Sequence, residues 1–184
     1  MKRYFVTPLF ALIFVFGVNA QKYVTKNGFI RFFSDSQMEK IEANNRVVNS
    51  ALDAATGDFI FKVLMKSFVF EKALMQEHFN EKYVESDKFP NSTFIGKVTN
   101  IKEVKFEKDG VYPVTVEGKL TIHGETKQVS EKGTFEIREG KISGKTKFNI
   151  LLTDYKISIP GAVTNNISKT IEITVEVFLE KVNL

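Results

Sequence analysis

Residues 112–129 of this chain alternate between apolar and polar side chains. Val114, Val116, Leu120 and Ile122 fall on one face; Thr115, Glu117, Lys119, Thr121 and His123 fall on the other. Successive side chains of a strand point to opposite sides, so the pattern predicts a half-buried β-strand that runs into a His123-Gly124 turn. Strand-like segments dominate the rest of the chain, at 28–34, 40–51, 57–70, 92–99, 101–107, 111–123, 128–138, 141–154 and 169–181. Asp109-Gly110, His123-Gly124 and Glu139-Gly140 read as hairpin connections between them. Many short strands with little helix predict an all-β sandwich or barrel, and the pattern alone does not choose between the two.

One segment departs from the two-residue period. Across 71–83, Met75, Phe79 and Tyr83 recur every four residues, with Leu74 and His78 beside them. That spacing predicts one short helix, packed through Leu74, Met75 and Phe79. Ser86 to Pro90 ends it, because the residue before a proline avoids the helical region. Residues 160–168 read as the longest late loop, small and polar.

Residues 1–20 have the pattern of a secretory leader. Lys2 and Arg3 precede the apolar run 4–18, and Val18-Asn19-Ala20 supplies small residues for cleavage after Ala20. The expected mature chain is a single domain, 21–184, periplasmic or secreted and without a membrane span. The sequence has no cysteine, which excludes disulfides, thiolate metal sites, a cysteine nucleophile and a lipid-modified cysteine anchor. Losing Lys2 and Arg3 with the leader lowers the formal charge from +4 to +2. The lysines are interleaved with glutamates along the strands, a poor fit to nucleic acid.

Candidate catalytic chemistry is sparse. His78 and His123 are the only histidines and have no local ligand spacing, so no metal site is expected. Strand parity points His123 to solvent, beside its turn glycine. His78 shares a helical face with Leu74, where it is either a packing residue or a hydrogen-bonding group for a ligand. The run GKISGKT at 140–146 imitates a phosphate loop, but it has three residues between its glycines where the motif needs four. Ile142, Gly144, Thr146, Phe148, Ile150 and Leu152 instead alternate as a strand. No serine sits in a nucleophile elbow, and Glu117, Glu136 and Glu172 lie on polar strand faces. The expectation is a protein that is not an enzyme and carries no cofactor.

The positive signal is aromatic and aliphatic bulk. The chain has 18 Phe and no Trp, and four of the Phe residues (Phe5, Phe10, Phe14, Phe16) lie in the leader. By parity Phe59, Phe61 and Val63 share a face, with Phe68 and Phe70 close behind. Phe94, Val98, Phe135, Ile137, Phe148, Ile150, Ile171, Ile173, Val175 and Val177 give later strands an equally apolar face. Such faces suit a filled core as well as a cavity.

Three stretches carry a family resemblance. LTIHGETKQV at 120–129 and MQEHFNEKYVESDKFPNSTFIGKV at 75–98 resemble two recurring blocks of the YceI-like family, in the family's order, and ALDAATGDFIFKV at 51–63 has a similar texture. The resemblance covers about 41–184. It implies a closed antiparallel, lipocalin-like β-barrel with one short helix between strands. The implied function is non-catalytic binding, storage or transfer of a long apolar lipid, a polyisoprenoid or isoprenoid quinone, in the barrel cavity. With that cavity granted, parity assigns its lining to Phe59, Phe61, Val63, Phe68, Phe70, Leu74, His78, Phe79, Phe94, Val114, Val116, Phe135, Phe148 and Ile150. Two other classes stay open: an enzyme acting on a lipid inside the barrel, and a ligand-free stress-response or interaction module.

Overall fold

A computed structural model of the chain describes residues 21–182, so the expected leader and its cleavage point lie outside the described residues. The strands are β1 (Lys22–Asp35), β2 (Lys40–Asp53), β3 (Asp58–Leu64), β4 (Val69–Phe70), β5 (Asn91–Val98), β6 (Gly110–Ile122), β7 (Glu125–Arg138), β8 (Lys141–Leu151) and β9 (Thr170–Lys181). One α-helix, α1 (Ala73–His78), lies between β4 and β5. The pairing order is β1-β9-β8-β7-β6-β5-β3-β2, every pair antiparallel, and β1 pairs again with β2. The sheet therefore closes into an eight-stranded barrel, with β7 and β8 paired only along their base-side halves. The two-residue β4 adds to β2 at Ala43 and Asn44.

The antiparallel register gives the barrel two ends with different covers. At the base, β2 turns into β3, β5 into β6 and β7 into β8. At the mouth lie the β1–β2 and β6–β7 turns and the two long excursions, 65–90 and 152–169.

The base is plugged by the chain itself. Residues 101–107, expected as a strand, form a 3-10 turn at Ile101–Glu103 followed by a bend. Ile101 and Val104 stand three apart, so both insert into the barrel end and are buried there. Phe106 stacks on Tyr23 with ring centres 5.6 Å apart. Asp109-Gly110 is not a hairpin: Gly110 opens β6, and Asp109 Oδ1 accepts a hydrogen bond from the Glu139 backbone N–H at 2.9 Å. His123-Gly124 and Glu139-Gly140 do connect hairpins. All four residues have positive φ, as the tight turn that matches strand twist requires. Residues 57–70 are one strand only to Leu64, where a 3-10 turn at Met65–Ser67 bends the chain over the mouth.

The helix occupies part of its predicted span. After Ala73–His78 the backbone widens into a π-turn, Phe79–Tyr83. Asn80 Nδ2 donates to the Gln76 carbonyl at 2.8 Å across that junction, and Gln76 Oε1 accepts from the Phe70 backbone N–H at 3.2 Å. The phosphate-loop imitation at 140–146 lies mostly in β8, as the alternation predicted, but the strand stops at Leu151 and residues 152–154, expected to continue it, turn away in a 3-10 turn at Leu152–Tyr155.

A glycine pair shapes the wall. Gly96 on β5 stands opposite Gly118 on β6, and the Phe94 ring lies across both. A Cβ on Gly118 would sit 2.5 Å from Ile95 O and 2.9 Å from the Phe94 ring, so any larger residue would displace backbone as well as ring.

Candidate functional site: an apolar cavity beneath the barrel mouth

The interior of the barrel changes character along its axis. Toward the base, Leu52, Val98, Val114, Phe135, Ile137, Ile142, Val177 and Leu179 are almost completely buried and pack as a solid core. Toward the mouth the barrel encloses a cavity of about 360 Å³. Eleven of the fourteen residues assigned by parity stand on its wall: Phe59, Phe61, Val63, Phe68, Phe70, His78, Phe79, Phe94, Val116, Phe148 and Ile150.

Three stand elsewhere. Val114 and Phe135 point inward as parity requires, but they belong to the packed base, where the Phe135 ring meets Phe59 edge-on at 5.9 Å. Parity chooses the face of a strand; it does not say at which height along the barrel the packing stops. Leu74 is 60% exposed and points away from the cavity. Neighbouring helical residues are about 100° apart, and this short helix already directs Met75 and His78 at the wall.

The roof is aromatic. Phe79 lies 5.4 Å from Phe32 in a stacked pair, 5.0 Å from Phe70 and 5.6 Å from Phe68. Phe32 also contacts Phe68 and Phe70 at 5.5 and 5.4 Å, so four rings from β1, the 65–70 segment and the helical turn close one side of the mouth. The other side is the 152–169 excursion, which contributes Leu152, Ile157, Val163 and Ile167. Sequence reasoning missed this side, because a small polar loop carries no periodic signal.

Polar groups tie the two covers together. Glu39, in the β1–β2 turn, accepts from Lys72 Nζ at 3.0 Å and from Asn166 Nδ2 at 3.5 Å. The Lys72 and then the Asn166 hydrogen bonds hold its carboxyl below the usual carboxylate range. Ser34 Oγ, buried, accepts the Ser168 backbone N–H at 2.9 Å. The helical cover, the late loop and the β1–β2 turn thus meet at one rim.

His123 is not a solvated turn residue. Strand parity ends at the turn, and its positive φ of 51° folds the ring back into the protein, leaving the side chain 12% exposed. Nε2 lies 2.8 Å from Glu85 Oε2 and Nδ1 lies 3.0 Å from the Tyr155 carbonyl. The ring packs edge-on against Phe89 at 4.7 Å. His123 therefore fastens both excursions to the β6–β7 turn, outside the cavity. Lys156 Nζ adds an ion pair to Glu125 at 2.8 Å in the same place.

One wall residue is of the wrong kind for its surroundings. Glu131 on β7 shares the inward face with Val129, Phe135 and Ile137, and faces Val116 across the β6–β7 ladder. Burial pushes its carboxyl above the ordinary value. Counting back in twos from Ile137 places Glu131 inside, so the signal was in the alternation. Beyond the Gly133–Thr146 pair, β7 and β8 part, and the turn at Leu152–Tyr155 lies in the fork. Thr146 Oγ1 donates to the Lys132 carbonyl at 2.7 Å at the point of separation.

Among the described residues no cluster of His, Asp and Glu is placed to hold a metal ion, and no helix is long and apolar enough to cross a membrane.

Comparisons with known proteins agree on the architecture. The barrel superposes on a polyisoprenoid binding domain from Saccharophagus degradans implicated in plant cell wall breakdown, with a TM-score of 0.77 at 13% identity over 89% of this chain and 99% of that one. Burkholderia cenocepacia BcnA matches with a TM-score of 0.67 at 14% identity, over 83% of this chain and 96% of its own. A Campylobacter jejuni YceI protein matches with a TM-score of 0.53 at 18% identity over the whole of both chains. At these identities the likeness is one of fold. No curated protein matches the sequence. The model of the YceI-like domain matches residues 22–179, from the start of β1 through the helical cover and into β9, and the chain belongs to the YceI-like domain family.

Proposed function

We propose that the barrel binds a long apolar lipid of the polyisoprenoid class without chemical conversion, and stores or carries it. The observation that carries this reading is the hollow upper half, whose wall is almost wholly hydrocarbon and aromatic. Its volume lies within the usual range for ligand pockets, about 300–1,000 Å³. A lipid chain gains about 0.8 kcal/mol for each methylene removed from water, so a long chain has ample drive to enter. Ordering that chain offsets much of the sum. The likeness of the barrel to a polyisoprenoid binding domain from Saccharophagus degradans supports the same reading.

A non-catalytic role is supported by how the wall's polar groups are used. Ser92 Oγ is bonded to Met65 Sδ, Thr146 Oγ1 to the Lys132 carbonyl, and Glu39 to Lys72 and Asn166. These groups are tied to structure. His78 and Glu131, the wall residues able to act as a base that have no side-chain partner among the described residues, stand on different elements, α1 and β7, with no serine nucleophile paired to either. The leader pattern supports export, with Gln21 as the mature N-terminus.

The test is solvent extraction of the purified, exported protein, with mass spectrometry of the extract and of the intact chain. A stoichiometric long-chain isoprenoid on a chain beginning at Gln21 is the expected result. An empty extract from a protein that also fails to take up prenyl lipids from vesicles would overturn the lipid reading.

A further inference from the structure

The deepest part of the cavity carries a carboxylate. Glu131 stands one inward-facing position above Gly133 and Val114, the level at which the interior becomes solid. Its cross-strand neighbour Val116 is in turn paired with the fully buried Val98. By register Glu131 therefore stands at the lower end of the cavity wall, next to the point where β7 and β8 part.

The wall's other carboxylate, Glu39, is at the rim and is held by Lys72 and Asn166. Glu131 makes no hydrogen bond or ion pair among the described residues. Glu131 is partly buried, and a carboxylate that gives up part of its water without gaining a partner is disfavoured in its charged form. The Tyr155 phenol is pushed up first by its own burial and then by the Asp154 and Glu131 carboxylates, so the field of Glu131 is felt in the fork beside the floor. A folded protein that keeps such a group at the bottom of a hydrocarbon pocket has a polar anchor there.

We infer that Glu131 is the head-group site of the cavity, and that it selects lipids whose polar end is a neutral or cationic hydrogen-bond donor over those ending in an anion. An ionised carboxylate only accepts hydrogen bonds, so it is complementary to the O–H of a long-chain alcohol or to an N–H. A carboxylate or phosphate end brought to the same place would meet a like charge in a medium that screens it poorly. The ligand accordingly lies with its polar end at the floor and its chain running up past Phe61, Phe148 and the ring cluster to the mouth. This rests on the lipid-binding reading and specifies its ligand.

The test compares a C20 prenyl alcohol with the prenyl carboxylic acid of equal length, by displacement of a neutral fluorescent naphthylamine probe at pH 8. It uses the wild type, Glu131→Gln and Glu131→Leu. The wild type should favour the alcohol by about tenfold or more, the scale of a hydrogen bond to a charged group. Alcohol and acid differ in water solubility as well, so the decisive quantity is the change of this ratio between proteins. In Glu131→Leu the ratio should shrink at least fivefold, with tighter acid and weaker alcohol. Glu131→Gln, the same size and still able to accept, should keep most of the alcohol affinity while gaining acid affinity. A ratio unchanged in both folded variants would overturn the assignment while leaving lipid binding intact. Failure of the wild type to bind either compound would overturn the lipid-binding reading and this inference with it.

Discussion

The two halves of this barrel are made of the same strands with the same alternation, yet one is solid and the other hollow. Near the base, Val98, Val114, Phe135, Ile137, Val177 and Leu179 interlock and the 3-10 turn at Ile101–Glu103 seals the end. Near the mouth, Phe61 and Phe94 on neighbouring strands and Phe148 on β8 line the cavity, and the end is covered by the aromatic cluster around Phe79 and the 152–169 excursion. The difference is one of what fills the axis. The base receives side chains from a short segment pressed into it, whereas the mouth is spanned by segments tied at the rim through Glu39, Ser34 and His123. A barrel of about eight strands has an interior that side chains can just fill, so a modest change in how its ends are covered is enough to open a cavity.

The contrast can be broken most severely with a charge. Val114→Arg places a guanidinium in the packed half, where no partner or water is available, and should prevent folding. Val116→Arg is one inward step higher. There the introduced charge has room and faces Glu131 across the ladder. It should leave a cooperative fold, at a cost of about 1–3 kcal/mol, and a protein stripped of lipid. Thermal melts with lipid mass spectrometry check both; equal unfolding by the two substitutions would mean that the upper half is packed as tightly as the lower.

Cavity formation gives a milder version. Phe135→Ala removes a ring from close packing and should cost about 3–5 kcal/mol. Phe148→Ala enlarges a space that already exists, so the loss of neighbouring contacts is smaller and the cost should be about 1–2 kcal/mol. Urea denaturation at matched conditions measures the pair, and Phe148→Ala should alter the length of chain the protein prefers. Reversed costs would exchange the roles assigned to the two levels.

The smallest effect concerns pH. Glu131 holds its proton more tightly in the folded protein than in the unfolded chain, because burial raises its pKa above the ordinary 4.5. This group therefore lowers stability as pH rises from the unfolded value through the raised folded one, and the full penalty is present above both. Glu131→Gln should raise the melting temperature of the lipid-free protein by about 1–3 °C at pH 7 and have little effect near pH 4. A gain that is the same at both pH values would show that ionisation of Glu131 is not its source.

Much of this was readable in the chain. Alternation placed most of the strands, because one face of a closed sheet must be apolar and the other solvated, and that constraint is local. The same rule put Phe59, Phe61, Val63, Phe94, Val116, Phe148 and Ile150 on the inward face of their strands, and it put Glu131 there too, as counting back from Ile137 shows. The resemblance carried by 51–63, 75–98 and 120–129 supplied closure into a barrel, which strand pattern alone left undecided. What periodicity could not reach were the places where the chain leaves the sheet. Residues 101–107 have strand-like composition but plug the base, and His123 departs from parity because a left-handed turn residue reverses its direction. Leu74 faces outward because a helix turns about 100° per residue and its neighbour Met75 already faces the wall.

The sequence by itself determined which side chains point to the barrel axis, since period two is a property of each strand alone. Tertiary structure decided which of those side chains touch one another and which surround empty space. Val114 and Val116 are indistinguishable by pattern, and only the level at which Ile101, Val104 and Phe135 fill the axis makes one core and the other cavity wall. Packing is a relation among eight strands and their end covers, and no single strand encodes it.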